Sequence, residues 1–311
     1  MGVVRRRRAA DRSTLPVGIA WRNPARGLRW LAALVACLCF GSPAAAAAGR
    51  VALALEGPEI TQGETVAVTV SGPGIASARL VAGGREIPLY RVSGRLVGLL
   101  GTDPLTRPGS VHLVLTAVDE AGRRLTAAAR LRVRDGRFGA RNVTLSPDTM
   151  RLLSPQKVAE ERRRFAEAVR RTSARRLWQG PFLHPVAGAL SSGYGVRSIY
   201  SGRPGGYHLG VDYAADDGTP VRAANRGRVT LADRLPLSGN IVVIDHGMGV
   251  FTSYHHMSSL AVREGQEVAR GDLLGHVGST GLSTGPHLHW AMLVGQARVN
   301  PLHWTRRPPL P

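Results

Sequence analysis

The 311-residue chain has only two cysteines, Cys37 and Cys39, a single lysine, Lys157, and 5% aromatic residues. Both cysteines precede residue 48, so a chain cleaved after that point holds no thiol. Disulfides and cysteine-ligated metal sites are then excluded, whatever the compartment. No His-Glu-x-x-His run is present, which removes the helical zinc site whose glutamate acts as base. No apolar run reaches the ~20 residues that span a bilayer. Acidic residues are also scarce, at 21 against 41 basic ones, giving a formal charge of +20. An arginine-biased composition explains that excess as well as attraction to an anionic wall polymer or membrane surface does. Nucleic acid is disfavoured, because no binding motif accompanies the charge.

The length suits two ordinary domains, since single cores usually stop growing near ~250–300 residues. Residues 1–48 belong to neither. Arg5–Arg8, Arg12, Arg22, Arg26 and Arg29 make a basic opening, Trp30–Phe40 an apolar segment, and Gly41–Ala48 a small-residue stretch with Ala-x-Ala sites. That order reads as a cleaved signal peptide, with the mature chain starting near Ala46 to Arg50. A permanent anchor would need a longer apolar run. A lipoprotein, suggested by Leu34-Val35-Ala36-Cys37, would need polar residues after the cysteine. The implied location is periplasm, cell envelope or medium, with no membrane span after processing.

Residues 49–136 carry short β-rich runs with turn residues between them: Val51–Leu55, Thr65–Val70, Ala78–Val81, Leu96–Leu100, Val111–Val118 and Leu125–Val133. Their spacing predicts an antiparallel, immunoglobulin-like β-sandwich, an accessory module without catalytic residues. Residues 137–180 form a linker. Within it Ser154-Pro155 opens a helix with serine at the N-cap and proline at the first helical position. Its apolar face is narrow and its arginines many, which predicts a solvated connecting helix. Residues 181–306 return to β, with strands expected at Val221–Ala223, Arg228–Leu231, Ile241–Asp245, Phe251–Tyr254, Glu267–Val268, Leu273–Val277 and Leu288–Val294. Residues 307–311 read as an unstructured tail. The fold class is mainly β.

The chemistry concentrates in this second domain. His208 and Asp212 stand in Tyr-His-Leu-Gly-Val-Asp, and His287 and His289 in Gly-Pro-His-Leu-His-Trp. Imidazole and carboxylate are zinc ligands, and catalytic zinc typically takes three of them and keeps an open position. His287 and His289 project from one face of a strand, so both could bind one ion, or one could bind while the other acts on reactants. His208 and Asp212 would lie about 13 Å apart in a straight strand, so the chain must bend between them, most easily at Gly210.

These motifs, with Gly278–Gly281, Ser283–Pro286 and Asn300-Pro301, resemble the lysostaphin-type, or LytM-domain, zinc metallopeptidases over residues 181 to 305. The resemblance implies a compact, mainly antiparallel β domain with Zn2+ held by His208, Asp212 and His289 in a groove. It makes His287 catalytic, and His256, in Tyr254-His255-His256, the second catalytic histidine. With no glutamate base, imidazoles must handle the proton. His255 is expected on the opposite strand face from His256. His246, His276, His112, His184 and His303 read as structural, and Tyr200 and Tyr207 as packing residues near the groove. One departure from the pattern is Ala291, where relatives commonly carry an acidic residue that could orient a ligand imidazole. The implied activity is endopeptidase cleavage of peptide cross-links or stem peptides in bacterial peptidoglycan, with envelope division or elongation proteins as further partners. The alternative is a non-catalytic LytM-type regulator that activates a wall amidase, a class that commonly lacks several ligands. Which peptidoglycan bond is cut is not readable from the residues.

Overall fold

The structure, a computed structural model, describes residues 50–144, 151–200 and 203–310. The expected leader, with Cys37 and Cys39, lies outside these residues, as does residue 311. The described chain is mainly β. Among the described residues no helix is long and apolar enough to cross a membrane.

Residues 52–134 make two facing sheets. One orders Ala52–Leu55, Thr65–Ser71, Arg95–Gly101 and Tyr90–Val92; the other orders Glu59–Thr61, Arg124–Arg134, Gly109–Asp119, Ile75–Ala82 and Arg85–Ile87. Strict alternation sends Val66, Val68 and Val70 to one side of their strand, where they meet Leu80, Leu113, Leu115 and Leu131. Ala67, Val97 and Leu99 point the other way and join the core of the next domain. The four-stranded sheet is therefore covered on both faces. Each of the six runs expected here is a strand. The three-residue strands Glu59–Thr61, Arg85–Ile87 and Tyr90–Val92 are too short for alternation to register.

The second domain is built on one antiparallel sheet. It orders Ala189–Ser192, Val211–Ala214, His287–Val294, Val250–Met257, Gly239–Gly247, Gly227–Leu235 and Glu267–Val268, with Ala297–Val299 beside His287–Val294. Val250–Met257 is buried throughout and Gly239–Gly247 nearly so, which means both sheet faces are covered. On one face Val242, Ile244, Tyr254, Leu288, Trp290 and Met292 enter the main core. On the other, Leu231, Ile241, Val243, Phe251 and Leu293 pack against Phe165 and Ala168.

Phe165 and Ala168 belong to the linker helix Pro155–Ala168, which corrects the expectation of a solvated connector. Ser154 is the N-cap with proline following, although its side chain makes no capping bond. Glu161, Phe165 and Ala168 are buried and recur at helical spacing, so one stripe faces the sheet while the arginines face water. The stripe escapes a hydrophobicity reading because one of its three members is a glutamate. Earlier in the linker, Ala140–Val143 pairs in parallel with Arg197–Tyr200, and Phe138 stacks edge-on with Tyr194 at 5.7 Å. At the C-terminus Asn300 caps the helix Pro301–Arg306 by accepting the Leu302 amide. The tail beyond it is not loose, since Pro308 and Pro309 are buried and Leu310 packs on the main core.

His246, expected to be structural, is fully enclosed. Its Nδ1 lies 2.8 Å from the Arg226 carbonyl and its Nε2 2.7 Å from Thr252 Oγ1. A carbonyl only accepts, so Nδ1 carries the proton and Nε2 accepts from the hydroxyl. Burial lowers the pKa of this imidazole from 6.5 to about 4, the bond to Arg226 offsetting only part of the effect. Between those values the unfolded chain binds the proton and the folded chain does not. The stability that neutral His246 contributes is thus full above pH ~6.5 and lost as pH falls toward ~4, of order 3 kcal/mol in total. Urea midpoints should fall over that window, and more steeply in the parent than in His246→Gln. Equal slopes would contradict the assignment.

Candidate active site

Strand register assembles the site. Asp212 lies directly across from His289, His289 from His255, and Ser192 from Asp212, so four neighbouring strands contribute one row. The strand His287–Val294 turns Leu288 and Trp290 into the core and leaves His287 and His289 on the other face. Val211–Ala214 was not expected as a strand. It has four residues, and three consecutive ones are buried, so no alternation marks it.

His208 enters from the turn before that strand. Its backbone is held by Gly195 N donating to His208 O and by His208 N donating to Val196 O, both at 2.8 Å. The His208 Nδ1 lies 2.8 Å from Gly193 O and 3.2 Å from Ser192 Oγ. The carbonyl contact requires a proton on Nδ1, which leaves a lone pair on Nε2. That Nε2 faces Asp212 Oδ1 at 2.9 Å and His289 Nδ1 at 2.9 Å, and the latter two atoms are 2.8 Å apart. An ionised carboxylate also brings only lone pairs. Three acceptors this close, on largely buried residues, repel one another unless positive charge lies among them, and the donor set is the one a divalent metal selects. Burial raises the pKa of Asp212, but the close imidazoles of His208 and His289 outweigh it and hold the carboxyl well below the usual range. Its other oxygen, Oδ2, has Arg141 Nη2 from the linker at 3.8 Å.

Gly210 is required here by space rather than by backbone angle. A Cβ at this position would lie 2.6 Å from Trp290 O and 2.7 Å from Cε1 of the His289 ring. The bend expected at Gly210 is therefore also a close approach to the His289 imidazole.

Beyond the ligand set, His256 and His287 stand side by side with ring centroids 4.8 Å apart. The His256 Nδ1 is 2.8 Å from Thr280 O, and the His287 Nδ1 is 2.8 Å from Gly285 O. Both carbonyls fix the proton on Nδ1 and leave Nε2 as an acceptor. Burial, then the neighbouring His287 and His289, lower the pKa of His256 to about 3, so it stays neutral near pH 7. The loop from Gly278 to Gly285 thus supplies the carbonyls that orient both rings.

His255 departs from expectation. His256 has a left-handed φ of 64°, and the register slips where Val250–Met257 meets Gly239–Gly247. His255 faces His289 directly across the strands, and the break in alternation after it turns His256 to the same side: the His255 ring lies edge-on to His289 at 4.9 Å and the His256 ring at 6.2 Å. His255 is held by Ser238 Oγ on Nδ1 and Ser253 Oγ on Nε2, each at 2.8 Å. Ala291, in the position where an acidic residue was expected, is buried opposite Ser253. The ring of His255 walls His289 instead. Tyr207 packs on Phe138 and lies under Arg197, His184 meets the Tyr213 hydroxyl at 2.6 Å, and His276 meets Ser259 Oγ at 2.9 Å. The side chain of Tyr200 is outside the described ones.

Residues 206–301 match the profile described as Peptidase family M23. The DD-carboxypeptidase/endopeptidase Mpg of Neisseria meningitidis serogroup B is 44% identical over 113 residues, 36% of this chain and 26% of its own length. The peptidoglycan DD-endopeptidase ShyA of Vibrio cholerae is 44% identical over 93 residues, 30% of this chain and 22% of its own. The chain therefore covers about a quarter of the length of these curated relatives. A crystal structure of a candidate peptidase M23 from Pseudomonas aeruginosa aligns over 81% of this chain and 96% of that one, with TM-score 0.55 and 26% identity.

The packing at Gly210 gives a direct test. In Gly210→Ala the added methyl must displace either the Trp290 backbone or the His289 ring, so divalent-metal affinity should fall by roughly tenfold or more, the size typical of losing ligand orientation. Chelator competition measures it. Parental affinity would show that His289 is not held as described.

Proposed function

Since residues 206–301 form a domain of peptidase family M23, we propose that the chain is an exported zinc endopeptidase that hydrolyses peptide cross-links or stem peptides of bacterial peptidoglycan. The observation that carries this reading is the convergence of His208 Nε2, Asp212 Oδ1 and His289 Nδ1 beside the paired imidazoles of His256 and His287. The name of ShyA supports the substrate class and that of Mpg the endopeptidase reaction. The basic leader followed by an apolar segment supports export.

Zinc held by those three residues supplies Lewis acidity toward the scissile carbonyl and makes water a stronger nucleophile near neutral pH. The side chains divide the remaining work. His256, neutral with a free Nε2, accepts a hydrogen bond and orients the water. His287, with its Nδ1 on Gly285 O, offers Nε2 to take the proton and return it to the leaving amine. Because loop carbonyls hold both rings, little reorganisation is needed on binding substrate. The linker strand Ala140–Val143, carrying Arg141, borders the Asp212 side of the groove.

The full chain alone, with no amidase present, should release peptides from purified peptidoglycan, stop when a chelator is added and recover with zinc. His256→Ala and His287→Ala should keep bound zinc and lose on the order of 10²- to 10⁴-fold in rate. Product masses identify the bond. No hydrolysis across several wall chemistries, with equal stimulation of an added amidase by the parent and His208→Ala, would establish the regulator instead.

A further inference from the structure

Glu161 lies outside the segment that matches the family, on the linker helix Pro155–Ala168, and it is buried. Its carboxylate feels the charge of Arg298 and meets the turn at Leu237 and Ser238. Oε2 accepts Leu237 N at 3.0 Å, Oε1 accepts Ser238 N at 3.2 Å, and Oε1 also accepts the Ser238 hydroxyl. A buried carboxylate is costly unless its lone pairs are met, and here three donors meet them.

The consequence runs toward the catalytic row. The helix covers the same sheet face that carries the site: Phe165 and Ala168 share one core cluster with Leu231, Phe251 and Leu293, while Ser253, His255, Ala291 and His289 continue that face by alternation along the two strands. Because Ser238 Oγ donates to Glu161, its lone pair must accept from His255 Nδ1, 2.8 Å away. The proton of His255 is thereby fixed on Nδ1, Nε2 accepts from Ser253 Oγ, and the ring is set edge-on to the ligand His289. The Ser238 carbonyl meanwhile accepts His256 N at 2.8 Å, at the residue with the left-handed φ. Leu237 O accepts Leu282 N at 2.7 Å in the loop whose Thr280 carbonyl holds His256 Nδ1. Leu237 and Ser238 therefore tie together the backbone of His256, the tautomer of His255 and the loop that aims His256.

We propose that Glu161, on the linker helix, is a positioning residue for the catalytic site, acting through Ser238 to set the rings of His255 and His256. An M23 domain cut at residue 181 would lack this anchor. The activity arm of the test rests on the endopeptidase reading; the spectroscopic arm does not.

The test uses the full chain with Glu161→Gln, Ser238→Ala, the double variant and Phe165→Leu. Glutamine has the shape of glutamate but turns an NH2 toward donors that need an acceptor. Phe165→Leu loosens the same helix without touching Ser238. Glu161→Gln and Ser238→Ala should each lower kcat by roughly tenfold, with KM and bound zinc within about twofold of the parent, as expected for misplaced groups rather than lost binding. The double variant should fall no further than about the worse single one, because both break one chain of bonds. Long-range 1H–15N imidazole spectra should show His255 as the Nδ1–H tautomer in the parent and altered in both variants, with His246 unchanged. Phe165→Leu should lower the melting temperature while keeping kcat and the His255 signals. Unchanged His255 signals in Glu161→Gln, additive losses in the double variant, or an equal kcat loss in Phe165→Leu would each overturn the proposal. If the parent releases no peptide, the endopeptidase reading fails, and the imidazole spectra still decide the role of Glu161.

Discussion

Three lone pairs aimed at one point, 2.8–2.9 Å apart, are the constraint on which the rest of the second domain depends. Such an arrangement is unfavourable in a protein interior unless positive charge occupies the convergence. The fold resists its collapse by fixing each donor separately: His208 through the Gly193 carbonyl, Asp212 and His289 through direct cross-strand register, and the His289 ring through contact with Gly210 and His255.

A sheet with two covered faces makes this possible. One face holds the aromatic and aliphatic core, including Trp290 and Tyr254, so the strands cannot slip without exposing it. The other face is divided along its length. The linker helix covers one end with Phe165 and Ala168, and the histidine row occupies the other. The two-sheet domain at the N-terminus presses Ala67, Val97 and Leu99 into the same core.

Much of this was legible in the residues. The cluster of His208, Asp212 and His289 and the neighbouring pair His256 and His287 could be picked out because their identities and spacing are local properties, and most strands in both domains follow from β-branched runs ended by glycine. What was missed depends on long-range contacts. The strand carrying Asp212 has no alternation because it is buried on both faces. His255 reaches the site by plain alternation, directly across from His289, and it is His256 that a left-handed φ at a register slip turns to the same side, which no short pattern encodes. Glu161 looked like one charge among many on a solvated helix, and its partners are 76 and 77 residues away. The stripe Glu161, Phe165 and Ala168 was the available signal, visible only once the glutamate is counted with the apolar residues.

Anomalous scattering at the zinc edge, from crystals of the full chain grown with the metal, addresses the central claim most directly. The account predicts one site per chain, about 2.0–2.2 Å from His208 Nε2, His289 Nδ1 and Asp212 Oδ1, with His255, His256 and His287 outside the ligand set. A zinc site elsewhere, or one in which His256 or His287 replaces any of the three, would contradict it.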